Sequence, residues 1–451
     1  MNLTNGKLTI RNAMPSDAPQ LCAWWNDGSI MAHAGFPNGL GTTADDIRQS
    51  LAKDTDNTHR RHIIAYDGTP IGEMNYRNMG HGVAEIGIKI CDSTQREKGL
   101  GTTLLSMFID ALFTYYGYSK IILDTNVKNT RAQHVYEQKL GFTRLRVNQD
   151  AWRDQLGDMQ ASVDYELTKT VWEARRPALP YILIREEQEA DHYAVEALTR
   201  DAFWKTHRSG DGADICDEHL LVHRLRTSPA LVPSLNLVAE MDGKLVGHII
   251  YSISHVVDNA GNSHEMLTFG PLSVLPVYQG KGVGQALMRY SFLVAKELGY
   301  RGVIIYGHPG YYPRVGFTTA DVFGITTLDG NNFDAFMAYP LYDGALDGIH
   351  GRHHADDVFE NLTQADARAF DKKFPPMPPH APVPMDVLLS RLHSPGKEAV
   401  QALGFNTLAM LQTKSQGEIA ALAGMDESAM EIIRAVMAEN NLEWGRQSHS
   451  T

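Results

Sequence analysis

Two short glycine-rich stretches concentrate the chemistry this chain can do. Arg96-Glu97-Lys98-Gly99-Leu100-Gly101 and Gln279-Gly280-Lys281-Gly282-Val283-Gly284 share the pattern Arg/Gln-x-x-Gly-x-Gly, and each lies between a strand-like run and a helical run. Glycines at such a turn let the backbone fold back tightly and present consecutive N–H groups, while the following helix N-terminus adds positive potential. The turn therefore suits a diphosphate, with Thr102 and Gln285 next in line to approach it. Other phosphate loops fit worse. The Walker pattern G-x-x-x-x-G-K-[ST] is absent, and the dinucleotide fingerprint needs a third small residue where this chain has Leu104 and Leu287.

The elements around the two turns repeat. In the first copy, the run Ala84–Ile90 predicts a strand, and Thr102 to Tyr116 predicts a helix with apolar Leu104, Leu105, Phe108, Ile109 and Leu112 near the helical period. A buried strand, Lys120–Asp124, and a closing segment, Tyr136 to Gly141-Phe142, complete it. The second copy has a strand from Leu267 to Leu275, a helix from Gln285 to Leu298 ended by Gly299, a strand Val303–Tyr306, and a closing Tyr311-Tyr312…Gly316-Phe317. Gly101 to Gly141 spans 40 positions and Gly284 to Gly316 spans 32, so the second copy is trimmed between strand and tyrosine. Each copy is preceded by a predicted hairpin, turning at Asp67-Gly68 in one and at Asp242-Gly243 in the other.

Together these units resemble the GNAT superfamily of acyl-CoA-dependent N-acetyltransferases, whose coenzyme-A pyrophosphate motif the glycine turns match. The first copy adds Asn126 and Asn129-Thr130-Arg131-Ala132 after the strand, and it looks like the branch of ribosomal-protein and small-amine acetyltransferases. The other copy resembles a different branch and lacks the asparagine-bearing segment, since Gly307-His308-Pro309 leads almost directly to the tyrosines. The resemblance implies acetyl-CoA as acyl donor, held at Arg96, Glu97, Lys98, Gly99, Leu100, Gly101, Thr102, Asn126 and Asn129 in one domain. In the other it implies Gln279, Gly280, Lys281, Gly282, Val283, Gly284 and Gln285. It also implies that two strands splay apart, so that pantetheine bonds backbone groups at Ile88 and Ile90, and at Leu272 and Val274. Direct attack by a primary amine then needs a base and, for the departing thiolate, an acid. Tyr136 matches the family's acid position; Tyr312 is its counterpart, with Tyr311 as alternative. Glu85 is the candidate base and Glu73 the second candidate.

The expected fold class is α/β (α+β): a domain over 1–172 and another over 180–345, each a mixed, strongly twisted sheet flanked by helices. A linker at Ala174 to Pro180 joins them, a connector fills 346–384 with a Pro-rich boundary at Phe374–Pro379, and an all-α module spans 385–446, with Gln447–Thr451 a tail. That module resembles the helix-hairpin-helix in the C-terminal domain of RNA-polymerase alpha, but Asp426 stands where the hairpin's second glycine would leave an anion site. The module holds five Lys/Arg against eight Asp/Glu, and the whole chain carries net charge −12, so nucleic acid is not the expected partner; docking to a protein, or simple packing, is the expected role.

No apolar run approaches the roughly 20 residues that span a bilayer, and the N-terminal residues lack a signal-peptide pattern. Three dispersed cysteines, Cys22, Cys91 and Cys216, suit reduced thiols in a cytoplasm. Metal is not expected. Cys216, His219 and His223 place the histidines on a helix flank or in solvent, and His350, His353 and His354 fall in a glycine-rich solvated loop. The leading function is acetyl transfer to a primary amine, with the first domain the catalyst. Rival readings are a coenzyme-A-binding sensor or scaffold with one or both sites silent, and an acetyltransferase directed to RNA or ribosome.

Overall fold

The computed structural model describes residues 1–96, 98–204, 216–377, 384–439, 442 and 444. Glu97, part of the Pro-rich boundary (Pro378 and Pro379) and the tail at Gln447–Thr451 lie outside the described residues. The chain divides into two units: one of 1–188, 232–272 and 278–354, the other of 189–231, 273–277 and 355–451.

The first glycine turn sits in a sheet of β1 (Asn2–Asn5), β2 (Leu8–Asn12), β3 (His59–Tyr66), β4 (Thr69–Gly80), β5 (Val83–Ile90), β6 (Lys120–Asn126), β7 (Thr143–Arg153) and β8 (Met159–Thr168). Helices α1 (Ala18–Trp25), α2 (Gly28–Met31) and α3 (Ala44–Leu51) precede β3; α4 (Leu100–Thr114), α5 (Thr130–His134) and α6 (Lys169–Arg175) follow β5, β6 and β8. Strands β1 to β5 pair antiparallel in sequence order, β5 and β6 are parallel, and β8 pairs with both β6 and β7. The period-2 alternation of β4 turns Met74 and Tyr76 toward α4, where Leu104, Phe108 and Leu112 are fully buried against them with Ile121 and Tyr165. Each such side chain removed from water contributes about 2 kcal/mol.

The second domain repeats this plan with β9 (Ile182–Glu186), α7 (His192–Phe203), α8 (Glu218–Leu225), β10 (Leu237–Met241), β11 (Lys244–Val257), β12 (Ser263–Val274), α9 (Val283–Glu297), β13 (Gly302–Tyr306), β14 (Thr318–Thr319), β15 (Ile325–Thr326), β16 (Phe336–Pro340) and β17 (Gly351–His354). The two hairpins turn at Asp67-Gly68 and Asp242-Gly243, all four residues at positive φ. Each carries a β-bulge at the same distance from its turn, between Ile64 and Ala65 and between Ala239 and Glu240. The domains share one sheet. Strand β1 pairs antiparallel with β9, Leu3 opposite Leu183, and β9 continues to β10. The expected linker is helical through Arg175, and the segment around it is anchored: Trp172, Arg176 and Tyr181 all donate to buried Asp110 on α4, at 2.9, 2.7 and 2.8 Å.

Three expectations need correction. The stretch expected as a connector supplies β17, which pairs with β11; His353 is a buried strand residue bonded to Thr268 at 3.2 Å, not part of a solvated loop. In the other unit, His219 is fully buried rather than on a helix flank, because Asp371, on α10 (Gln364–Asp371), approaches its ring at 3.2 Å and Phe370 and Phe374 pack on it. Helices α4 and α9 also begin two residues earlier than expected, because Gly99 and Gly282, in the left-handed conformation, cap them.

The same unit holds α11 (Asp386–Leu389), α12 (Gly396–Gln401), α13 (Gln416–Ala420) and α14 (Glu427–Glu439), packed around Leu388, Leu392, Val400, Ile419 and Ile433. Among the described residues no helix is long and apolar enough to cross a membrane, no group of three or more His, Cys, Asp or Glu is placed to hold a metal, and all three cysteines are free thiols.

Candidate active site

Strand β5 pairs with β6 only from Val83 to Glu85; beyond that the two diverge. The Cys91 N–H donates to the Ile71 carbonyl on the β4 side at 2.9 Å. Strand alternation therefore turns the backbone groups of Ile88 and Ile90 to the opposite, open edge, where Arg96 Nε reaches the Ile90 carbonyl at 3.1 Å. A cleft of about 810 Å³ lies along that edge. Its floor is Ile88, Ile90, Arg96, Gly99, Leu100, Gly101 and Thr102, and its far wall carries Asp124, Asn126, Asn129 and Tyr136.

The glycines fit a closely approaching ligand. Gly99 has φ +76°, which a side chain would strain. Gly101 has ordinary φ, and a Cβ there would meet only Ile90 Cδ1, at 3.6 Å, so internal packing does not require glycine. What its missing side chain leaves bare is the cleft face of the first turn of α4, where N–H groups and helix dipole favour an anion. Asn129 caps α5 by accepting the Ala132 N–H at 3.2 Å, and Asn126 donates to Gln160 at 3.2 Å.

Tyr136 sits in a π-helical turn, Val135–Leu140, against Phe142 and Tyr165. Burial, with smaller contributions from Asp124 and Tyr165, pushes its hydroxyl up to about 12, so it holds its proton at any ordinary pH. The Phe142 N–H donates to the Tyr136 carbonyl, and the Phe317 N–H donates to that of Tyr312. The tyrosine–phenylalanine rings lie 5.8 and 5.5 Å apart in the two domains. Tyr312, not Tyr311, is thus the counterpart of Tyr136, although it is one residue nearer its phenylalanine; the π turn absorbs the difference.

Several residues fall outside this cleft. Glu85, on the same sheet face as Lys89, stops short of the cleft lining and lies 3.9 Å from Arg77, and Lys98 bonds Gln95 on the surface. Among the described residues, the carboxylates that do line it are Glu73 and Asp124. Desolvation, then the Glu85 and Asp164 carboxylates, raises the Asp124 pKa. Glu73 is buried and bound by Lys89 Nζ at 2.9 Å and by Trp25 Nε1–H at 3.0 Å. The roof comes from the β7–β8 hairpin. The Gln155 N–H donates to the Gly35 carbonyl at 2.8 Å, its side chain bonds Asn38 and Gly39, and Trp152 lies where a Gly35 Cβ would be 2.3 Å away.

In the second domain β12 meets β13 at Leu267–Val303 and then diverges in the same way. Counting back from the loop glycines, Ile88 and Ile90 correspond to Pro271 and Ser273; Leu272 and Val274 each lie one residue further on, out of phase. Gly280 and Gly282 have positive φ, and Gln279, Lys281 and Gln285 are exposed, but Val283 and Gly284 are buried. The trimmed segment packs Gly307 beneath the Tyr312 ring, where a Cβ would lie 2.4 Å from it.

Residues 7–143 match the family model of the acetyltransferase (GNAT) domain, and residues 233–319 match a second model of the same description. The uncharacterized N-acetyltransferase YhbS of Escherichia coli is 32% identical over 171 residues, covering 38% of this chain and 93% of the relative. This chain belongs to the GNAT acetyltransferase family. It is an acyltransferase with two tandem GNAT domains. YjhQ of E. coli is 38% identical over 97 residues (22% of this chain, 53% of the relative), and the aminoglycoside N(6')-acetyltransferase type 1 of Klebsiella pneumoniae is 29% identical over 154 residues (31% and 76%). A crystal structure of E. coli YhbS with CoA superposes with TM-score 0.36 at 30% identity, covering 42% of this chain and 96% of that one.

Sequence reasoning for this GNAT chain missed Asp124, Lys89 and Trp152. Asp124 was readable: it directly follows the apolar run Ile121–Leu123, and strand alternation turns it away from the core side taken by Leu123. Trp152 reaches the cleft only through a bulge between Asn148 and Trp152, which no local pattern announces.

Proposed function

We propose that the first domain transfers an acetyl group from acetyl-CoA to a primary amine by direct attack in a ternary complex. The observation that carries this reading is the coincidence, in one cleft, of an open β5 edge, a bare glycine turn and the buried Tyr136 hydroxyl. Gly99, Leu100, Gly101 and Thr102, with Arg96 beside them, take the pyrophosphate, with Lys98 at the mouth. The Ile88 and Ile90 backbone takes pantetheine, and an N–H on that edge polarises the thioester carbonyl. Asp124 receives the proton of the attacking amine. Glu85 acts on it from outside the cleft wall through its charge, which helps raise the Asp124 pKa. Tyr136 protonates the departing thiolate. The aminoglycoside N-acetyltransferase among the relatives supports an amine acceptor.

The second domain serves as a binding or structural partner. At the position of Ile88 it has Pro271, which has no N–H to offer, and its loop residues Val283 and Gly284 are buried. We assign the C-terminal helices to protein docking. Asp426 accepts the Ala429 N–H at 2.8 Å, placing a carboxylate where a phosphate-gripping hairpin exposes amides. Three free thiols favour a reducing compartment such as the cytoplasm. Calorimetric titration of acetyl-CoA, followed by an amine screen, tests the reading: no binding overturns it, and RNA binding that falls steeply with salt would restore the RNA-directed alternative.

A further inference from the structure

We propose that Lys89 is a site of self-acetylation, a reading that rests on acetyl-CoA binding in the first-domain cleft. Among the described residues lining that cleft, Lys89 carries the only primary amine; the other basic groups are the guanidiniums of Arg96 and Arg131 and the imidazoles of His33 and His134. Lys89 lies between Ile88 and Ile90, whose backbone forms the open edge. Its side chain stands on the sheet face it shares with Glu73, its cross-strand partner. Nζ is 2.9 Å from Glu73 Oε1 and 3.2 Å from Met31 Sδ, with the side chain 31% exposed. Glu73 is 7% exposed and is held in place independently by Trp25 Nε1–H at 3.0 Å. An amine, an adjacent carboxylate to accept its proton and a thioester along the neighbouring backbone are thus gathered in one cavity, which replaces a bimolecular encounter by an intramolecular one.

The step balances without an added reagent. One proton of the Lys89 ammonium passes to the Glu73 carboxylate, and the freed Nζ lone pair bonds to the thioester carbonyl carbon. The C–S bond breaks with its electron pair on sulfur, and a second Nζ proton goes to that thiolate. The products are Nζ-acetyl-Lys89 and coenzyme A. Release of the Glu73 proton to solvent then leaves a carboxylate without its ion pair beside the cleft, which favours a cationic acceptor over a neutral one.

The full chain is incubated with acetyl-CoA and no acceptor, and its peptides are mapped by mass, with calorimetry on the same samples. Acetyl on Lys89 is expected, formed at least about 100-fold more slowly in Gly101→Glu. Lys89→Arg should lose that increment while still binding acetyl-CoA. Wild type that binds acetyl-CoA but stays unmodified at Lys89 overturns the self-acetylation alone. Equal rates in wild type and Gly101→Glu also overturn it, since the reaction is then ordinary solution chemistry. Absence of acetyl-CoA binding overturns both this inference and the transferase reading beneath it.

Discussion

The two GNAT domains share a hairpin, a bulge, a 15-residue helix behind a left-handed glycine and a pair of diverging strands, yet their equivalent sheet positions differ in kind. Counted from the hairpin turns, Glu73, Asn75 and Arg77 of the first domain become His248, Ile250 and Ser252 of the second. Counted from the glycine loops, Glu85 and Lys89 become Thr268 and Leu272. In the first domain Glu73, Asn75 and Lys89 line the cleft, and Arg77 and Glu85 lie beyond it on the same sheet face. In the second, His248, Ile250, Ser252 and Thr268 are all buried, and His248 bonds Asn236 rather than facing an open cavity. Charge on one sheet face goes with access to it, and loss of charge goes with burial. The same backbone plan therefore does not by itself make two equal catalysts.

The sharpest break of this comparison is to block each loop. Gly101→Glu places a carboxylate in the pyrophosphate cradle, so first-domain acetyl-CoA binding and amine turnover should fall about 1,000-fold, roughly 4 kcal/mol. Gly284→Glu should leave that turnover intact; because Gly284 is buried, circular dichroism must accompany the kinetics. Turnover lost only with Gly284→Glu would reverse the assignment.

A smaller effect separates the two helices. Asp110 on α4 is buried under Trp172, Arg176 and Tyr181, while its counterpart by position on α9 is the exposed Leu293. Asp110→Ala removes the one acceptor shared by Trp172, Arg176 and Tyr181 and should cost about 3 kcal/mol in urea unfolding, against less than about 0.5 for Leu293→Ala. Next comes chemistry. Tyr136→Phe should lower kcat about 100-fold with KM nearly unchanged, and Tyr312→Phe should not. In wild type, no alkaline fall in rate from Tyr136 is expected below about pH 11, since a proton donor fails only as pH rises through its own pKa, here about 12.

What the sequence disclosed was what short-range rules govern. Glycine pairs at a strand–helix junction, 3.6-residue periodicity in α4 and α9, and Asp-Gly hairpin turns each specify local backbone, and the two loops and their domains were legible from them. What it concealed depends on partners far along the chain. His219 is buried because Asp371 and Phe374 come from some 150 residues away, and His353 because β17 returns to pair with β11. The shared sheet needs β1 and β9 to find each other across the whole first domain. Glu85 looked catalytic by its strand position, but the divergence of β5 from β6 begins just beyond it, so the cleft opens past its side chain.

The smallest of these effects tests the buried face of the second domain by titration. His353 lies under that face, bonded to Thr268, and burial, with added repulsion from His354 and His255, pulls its pKa down to about 4. In the unfolded chain the imidazole returns to about 6.5. The unfolded state therefore binds the proton first as pH falls, and stability is lost between about pH 6.5 and 4, reaching about 2 kcal/mol at pH 5 and levelling off below pH 4. Glu85, at the position of Thr268 in the first domain, is partly exposed and faces Arg77, so nothing there buries an imidazole. His353→Asn keeps a group able to bond Thr268 but removes the titration. Urea unfolding of wild type and variant at pH 7.5 and pH 5 should converge by about 2 kcal/mol at the lower pH. Parallel pH dependences would mean that His353 gains a proton without unfolding, and that the second domain's face opens to water as the first domain's does.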